Sequence, residues 1–133
     1  MSQPSSPRRL ISIVIPAYDE ESCVAELARR LQAVFESLPA YDFEVIAVDN
    51  GSVDRTFELL NQIQADDDRF KVVQLSRNFG ADGGVTAGLR YAHGDAAVIM
   101  IFRAIHSPVS GFKSSSIHGV TVPSSRLMCC DLV

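Results

Sequence analysis

Between residues 10 and 100, short apolar runs rich in β-branched side chains alternate with longer segments of helical periodicity, separated by Pro, Gly, Asn and Asp. This alternation constrains the chain more than any other feature. Strands joined by helical connections form a parallel sheet with helices over its faces. Right-handed crossovers then bring every strand's carboxyl end to one edge, and ligands of such sheets bind in the crevice beyond it. The expected fold is therefore α/β, a parallel Rossmann-like sheet with flanking helices.

The first run, Leu-Ile-Ser-Ile-Val-Ile at 10–15, reads as a buried strand stopped by Pro16. A helix is predicted over 20–38, with Val24, Leu27, Ala28, Leu31, Val34, Phe35 and Leu38 at helical spacing and Pro39 ending it. Asp19, Glu20 and Glu21 fall in its first turn, where the helix dipole favours them. A second strand over 43–48 delivers Asp49-Asn50-Gly51-Ser52 at its carboxyl end. A helix follows over 53–65, capped by Ser52 or Asp54, with Phe57, Leu60 and Ile63 as its apolar stripe. A third strand over 70–75, a turn at Asn78-Phe79-Gly80, a helix capped by Asp82 and running to about residue 92, and a strand over 96–100 complete the pattern.

Composition narrows the function. With 133 residues, 47% hydrophobic and 21% charged, the chain suits one globular domain with a real core. A net charge of -4 argues against binding nucleic acid through a general basic surface. No apolar run approaches the ~20 residues of a membrane-spanning helix. Cys23, Cys129 and Cys130 have no metal-ligand spacing and fit a reducing compartment. Residues 1–9 lack the apolar stretch of a secretory signal and read as a disordered, solvated lead-in.

The strand-end loops carry the chemistry. Pro16-Ala17-Tyr18-Asp19-Glu20 offers a proline, an aromatic ring and carboxylates as a wall for a planar base and a ribose. Asp49-Asn50-Gly51-Ser52-Val53-Asp54 offers hydrogen-bond acceptors, and Gly51 allows a tight turn. The glycines of 80–88 match neither Gly-x-Gly-x-x-Gly nor the P-loop, so Gly84 and Gly88 read as close helix–sheet packing. Arg77, beside Asn78 in a turn at a strand end, is placed either to contact a diphosphate or to form a surface ion pair. His93, His106 and His118 have no mutual spacing of a metal site or triad, and His93 reads as a helix C-terminal residue on the dipole. No Gly-x-Ser-x-Gly elbow is present, so hydrolase chemistry has no support.

Taken together, Ser12-Ile13-Val14-Ile15-Pro16-Ala17-Tyr18-Asp19-Glu20-Glu21 and Val48-Asp49-Asn50-Gly51-Ser52-Val53-Asp54-Arg55-Thr56 resemble the opening of family-2 inverting glycosyltransferases with the GT-A fold. Ser76-Arg77-Asn78-Phe79-Gly80, Thr86-Ala87-Gly88-Leu89 and Gly94-Asp95-Ala96 are similar to the polyprenyl-phosphate branch, which includes dolichol-phosphate mannosyltransferases and bactoprenol glucosyltransferases. The resemblance implies a UDP- or GDP-sugar donor, a polyprenyl phosphate acceptor and in-line displacement at the anomeric carbon with inversion. By position it implies a nucleotide-sugar site of Pro16, Ala17, Tyr18, Glu20, Val48, Asp49, Asn50, Gly51, Ser52 and Arg77, with Val48 and Asn50 beside the base. The family often has a second aspartate where Asn50 stands. A cytoplasmic location, or the cytoplasmic face of a membrane, follows from the same resemblance.

The family continues from its fourth strand into Asp-x-Asp, whose carboxylates hold Mg²⁺ or Mn²⁺ on the diphosphate. Here the chain reads Ile101-Phe102-Arg103-Ala104-Ile105-His106-Ser107-Pro108, with no carboxylate between Asp95 and Asp131. Residues 1–100 hold 15 acidic and 9 basic side chains, whereas residues 101–133 hold one and three. Eight serines in the first hundred residues are followed by seven in the last 33. The expectation is a nucleotide-binding GT-A half over 10–100, followed by a non-homologous, frameshift-like segment over 101–133. The metal-binding and catalytic groups are then missing and transferase activity is lost. Two rival readings are a nucleotide-binding module or inert fragment without catalysis and a flavodoxin-like receiver whose acidic cluster binds Mg²⁺ without nucleotide.

Overall fold

The computed structural model describes residues 7–102 and 127–128. Its elements run β1 (Arg9–Ala17), α1 (Val24–Ser37), β2 (Tyr41–Asp49), α2 (Thr56–Asp66), β3 (Phe70–Gln74), α3 (Gly80–Arg90), β4 (Ala96–Ile99) and a two-residue β5 (Leu127–Met128). The strand order is β3-β2-β1-β4-β5 and each neighbouring pair is parallel. The expected parallel α/β sheet is the one found, and the carboxyl ends of β1 to β4 share one edge.

Side chains alternate between the faces, as a pleated strand requires. Ile13, Ile15 and Ala17 of β1, with Phe43, Val45 and Ala47 of β2, form one core with Val24, Leu27, Ala28, Leu31 and Phe35 of α1 and Leu60 of α2. Phe35 stacks on Phe43 with ring centroids 4.5 Å apart, and the Arg69 guanidinium covers the Phe35 ring at 4.7 Å. Val34 is half-buried and Leu38 exposed, so the predicted stripe is narrower at its end. The opposite face carries Val14, Ile46 and Val48 beneath α3, where Gly84 and Gly88 are buried as their close-packing role requires. A Cβ on Gly84 would lie 3.0 Å from Pro16 Cβ, so a larger residue fits only if Pro16 gives way by a few tenths of an ångström.

Several local expectations are corrected by tertiary contacts. Pro16 does not stop β1, which continues to Ala17. Leu10 and Val14 turn their carbonyls to the β4 side, accepting from Asp95 and Met100, so even-numbered residues of β1 face β4. The β1–β4 ladder ends at Val14, so the donor that Pro16 lacks falls beyond it. Asp19, Glu20 and Glu21 precede α1 rather than forming its first turn, which holds Glu26. Neither Ser52 nor Asp82 caps a helix: Arg55 and Phe79 occupy the N-cap positions of α2 and α3, Asp54, one residue before Arg55, accepts from the Thr56 N–H at 2.9 Å, and Asp82 lies inside the first turn of α3. Arg9 belongs to β1 rather than to a lead-in, and Arg8 pairs with Asp42 at 3.6 Å. His93 lies beyond the end of α3, where its backbone N–H donates to Glu44 Oε1 at 2.6 Å. His106, His118 and the sequence from 103 onward, β5 aside, lie outside the described residues, as do residues 1–6.

Beneath α3, far from the carboxyl edge, Glu44 gathers the chain. It is 5% exposed and accepts from Ser12 Oγ at 2.5 Å, Lys71 Nζ at 2.8 Å and the His93 N–H. Ser12 Oγ accepts in turn from the Gly94 N–H at 2.8 Å, which ties the α3–β4 connection to the sheet.

Candidate functional site

The first two strand-end loops are stitched together by reciprocal hydrogen bonds. Asp19 N–H donates to Ser52 Oγ at 3.0 Å, and Val53 N–H donates to Asp19 Oδ1 at 2.9 Å. Glu20 N–H donates to Thr56 Oγ1 at 2.8 Å, and Arg55 N–H donates to Glu21 Oε2 at 3.2 Å. Asp54 accepts from the Glu21 N–H and from both the N–H and hydroxyl of Thr56. Burial pushes the Asp54 carboxyl up, but these donors outweigh it and hold it below its ordinary value. Asp19 takes a left-handed backbone, φ 49°, to make its turn. The acidic run thus serves the entrance of α2 rather than the dipole of α1.

The third loop docks on the second. Gly51, at φ 75°, lies so close to it that a Cβ would come within 2.5 Å of the Arg77 carbonyl carbon. Leu75 N–H donates to the Asp49 carbonyl at 2.9 Å. Asn50 completes the joint. Its backbone N–H donates to Ala17 O at 2.8 Å, its Oδ1 accepts from the Phe79 N–H at 3.0 Å, and its Nδ2 donates to Gly80 O at 2.8 Å.

Together the three loops and the start of α3 enclose a cleft of about 360 Å³. Of the ten residues expected at a nucleotide-sugar site, Pro16, Ala17, Tyr18, Glu20 and Asn50 line it. Lining residues outside that expectation are Asn78, Gly80, Ala81, Val85, Ile101 and Phe102. The α3 contribution had one signal in the sequence, the glycine-rich helix start after a strand, which matched no phosphate-loop spacing. Val48 and Asp49 are fully buried beneath the loops. Asp49 Oδ1 accepts from the Ser52 N–H at 3.1 Å, while Asp49 Oδ2 has no hydrogen-bond partner among the described residues. Gly51 and Ser52 act within the loop joints. The Arg77 guanidinium lies over the Phe79 ring, 4.7 Å from its centroid, outside the lining.

Glu20 is the acidic residue of the lining, and among the described residues no three or more His, Cys, Asp or Glu side chains gather as a metal cage. No helix among the described residues is long and apolar enough to cross a membrane.

Comparison with known proteins agrees with this architecture. The profile described as "Glycosyl transferase family 2" matches residues 12–102. The chain is 39% identical over 89 residues to the uncharacterized glycosyltransferase YkcC of Bacillus subtilis, covering 67% of this chain and 27% of that protein. It is 42% identical over 96 residues to the undecaprenyl-phosphate 4-deoxy-4-formamido-L-arabinose transferase of Pseudomonas paraeruginosa, covering 71% and 28%. The chain therefore spans a little over a quarter of the length of the curated relatives it matches. In structure it resembles the Pyrobaculum calidifontis mannosyltransferase PcManGT in complex with GDP-Man and Mn²⁺ (TM-score 0.58, 22% identity, 74% of this chain and 28% of that one). It also resembles S. aureus TarS 1-349 in complex with UDP (TM-score 0.58, 27% identity, 68% and 26%). With a parallel sheet of the GT-A kind and a family match across residues 12–102, the chain belongs to glycosyl transferase family 2.

Proposed function

We propose that residues 10–100 form the nucleotide-binding half of a glycosyltransferase that uses a UDP- or GDP-sugar. The observation that carries the reading is the cleft at the carboxyl edge of the sheet, lined by Pro16, Ala17, Tyr18 and Glu20 and closed by Asn50. Tyr18, 44% exposed, offers a ring face to a base, and Glu20 offers a carboxylate to ribose hydroxyls. Val48, Asp49, Gly51 and Ser52 hold the second loop in shape, and Arg77, whose guanidinium lies over Phe79 outside the lining, is the cation assigned to a diphosphate in this reading. The relatives named for undecaprenyl phosphate support a polyprenyl phosphate acceptor for the parent enzyme. The same proposal puts that enzyme in the cytoplasm or at the cytoplasmic face of a membrane. A phosphate acceptor is already an anion, so such transfer needs no strong protein base.

In this reading Mg²⁺ or Mn²⁺ on the diphosphate takes its ligands from an Asp-x-Asp that this sequence lacks after Met100. The chain in this reading binds nucleotide without turning over sugar, and residues 101–133 derive from a frameshift, a retained intron or a wrong gene model. Calorimetric titration with UDP and with GDP, with and without Mg²⁺, tests the binding. The reading expects saturable heat that does not require metal, and a flat titration with both nucleotides rejects it. Release of UDP from UDP-glucose, or of GDP from GDP-mannose, in the presence of polyprenyl phosphate would reject the inactivity. Translation of the coding DNA across codon 100 in the other two frames tests the origin of 101–133, with an Asp-x-Asp expected in one of them.

A further inference from the structure

Among the described residues that line the cleft, Glu20 is the charged one, and no lysine or arginine stands with it. A phosphate group held there is met by a cation from outside the lining, and Arg77 directly precedes Asn78, which lines the cleft together with Gly80. Its partner is not a carboxylate. Arg8, Arg29, Arg30, Arg55 and Arg69 each pair with an acidic side chain. Arg77 forms no ion pair among the described residues, and its guanidinium lies over the Phe79 ring, 4.7 Å from the centroid. Both ends of this contact are fixed. The close approach of Gly51 holds the Arg77 backbone, and Asn50 Oδ1 holds the Phe79 N–H at 3.0 Å. Gly83 leaves the space that the ring needs, since a Cβ there would come within 2.6 Å of Phe79 Cβ. Phe79 is 47% exposed and does not line the cleft, so neither the core nor the cleft wall accounts for a phenyl ring at this position.

From this arrangement we infer that Phe79 is a positioning residue for the Arg77 cation: its ring holds the guanidinium beside the cleft, where the diphosphate of a bound nucleotide meets it. The inference rests on the nucleotide-binding reading of the cleft and on Arg77 as the cation for the diphosphate. An aromatic face suits this task better than a carboxylate. The ring attracts the guanidinium through its quadrupole and takes none of the N–H donors that a phosphate would use. A carboxylate partner would occupy those donors and repel the incoming anion, and the ring does neither. Support from the ring also narrows the conformations of a long, exposed side chain before the ligand arrives, so less freedom is lost on binding.

The test titrates the full chain and its variants calorimetrically with uridine, UDP, guanosine and GDP, without divalent metal. The ratio of diphosphate to nucleoside affinity isolates what the cation contributes. Wild type is expected to bind the diphosphate more tightly than the nucleoside, and Arg77→Gln to lose most of that ratio. Phe79→Leu is expected to weaken diphosphate binding about two- to fivefold, the size of an exposed cation–π contact, with nucleoside binding unchanged. Phe79→Tyr keeps a ring face and is expected to keep the wild-type ratio. A ring that only supports the fold would instead weaken nucleoside and diphosphate by the same factor in Phe79→Leu. That result, no loss in Phe79→Leu, a ratio in Phe79→Tyr as low as in Phe79→Leu, or an unchanged ratio in Arg77→Gln would each overturn the inference and leave the nucleotide reading standing. If the wild type binds none of these ligands, the nucleotide reading fails and the inference with it. Should Phe79→Leu not fold, Gly83→Ala carries the test, because its added methyl displaces the ring. A selective loss of diphosphate affinity then supports the inference, and an equal loss or none overturns it.

Discussion

Gly88 and Val14 meet so closely that a Cβ on the glycine would lie 2.3 Å from Val14 Cγ1, with Val48 Cγ2 3.0 Å away on its other side. The contact seats α3 on the sheet and sets the height of the helix start that lines the cleft. Alanine at position 88 gains about 1 kcal/mol of helix propensity. It loses about 3 kcal/mol to overpacking, because both neighbours are fully buried β-branched side chains with no space to turn into. Gly88→Ala is therefore expected to destabilise the fold by about 2 kcal/mol, measured as a lower urea midpoint at unchanged slope.

Glu44 gives the fold an acid-sensitive joint. Burial pushes its carboxyl up, but hydrogen bonds from Lys71, Ser12 and the His93 N–H win and hold it down at about 2 against an ordinary 4.5. A carboxyl that is more acidic folded than unfolded stabilises the fold above the unfolded value. That contribution is present above pH 4.5 and is lost as the pH falls toward 2. Glu44→Gln, which takes no charge, is expected to lower stability at pH 7 by about 2 kcal/mol and to flatten the acid limb of the stability curve. An acid limb as steep in the variant as in the wild type would remove Glu44 from this role.

Thr56 is fully buried at the seam of the first two loops, accepting from the Glu20 N–H and donating to Asp54. Thr56→Val keeps the volume and removes both bonds, so the expected cost is about 2 kcal/mol. The same substitution is expected to weaken UDP or GDP binding, because Tyr18 and Glu20 lose their anchor. Equilibrium unfolding and calorimetry on the one variant check both effects.

Gly51→Ala is expected to separate the second and third loops. The left-handed backbone at this position costs a non-glycine residue about 1 kcal/mol, and the Arg77 backbone in the path of the new Cβ cannot rotate aside as a side chain would. Nucleotide affinity should fall together with stability, and changed amide shifts at Arg77 and Asn78 would locate the displacement.

Much of this arrangement was legible in the chain because it is written in local patterns. The runs at 10–15 and 43–48, the spacing of Val24, Leu27, Leu31 and Phe35, and the small residues at 84 and 88 each follow from one element meeting one neighbour. What was not legible depends on partners distant in sequence. Asp19 to Glu21 look like a first helical turn until the N–H groups of 53 and 55 are brought beside them. Asp82 looks like a cap until Asn78 Oδ1 takes the Gly80 N–H and Asn50, twenty-nine residues from Phe79, takes the Phe79 N–H before it. Pro16 looks like a strand terminator until the limited length of the β4 ladder makes its missing donor harmless. The cleft itself shows the same division: the lining from the first loop was foreseen, and that from α3 and from Ile101 and Phe102 was not.

The most direct measurement is a titration of isotopically labelled protein with UDP and with GDP, followed by amide chemical shifts. Nucleotide binding at the carboxyl edge predicts saturable shifts confined to residues around Ala17, Tyr18, Glu20, Asn50 and the start of α3. An unchanged spectrum with both nucleotides, or shifts that map instead to the groove between α1 and α2 around Val24, Leu59 and Ile63, would contradict it.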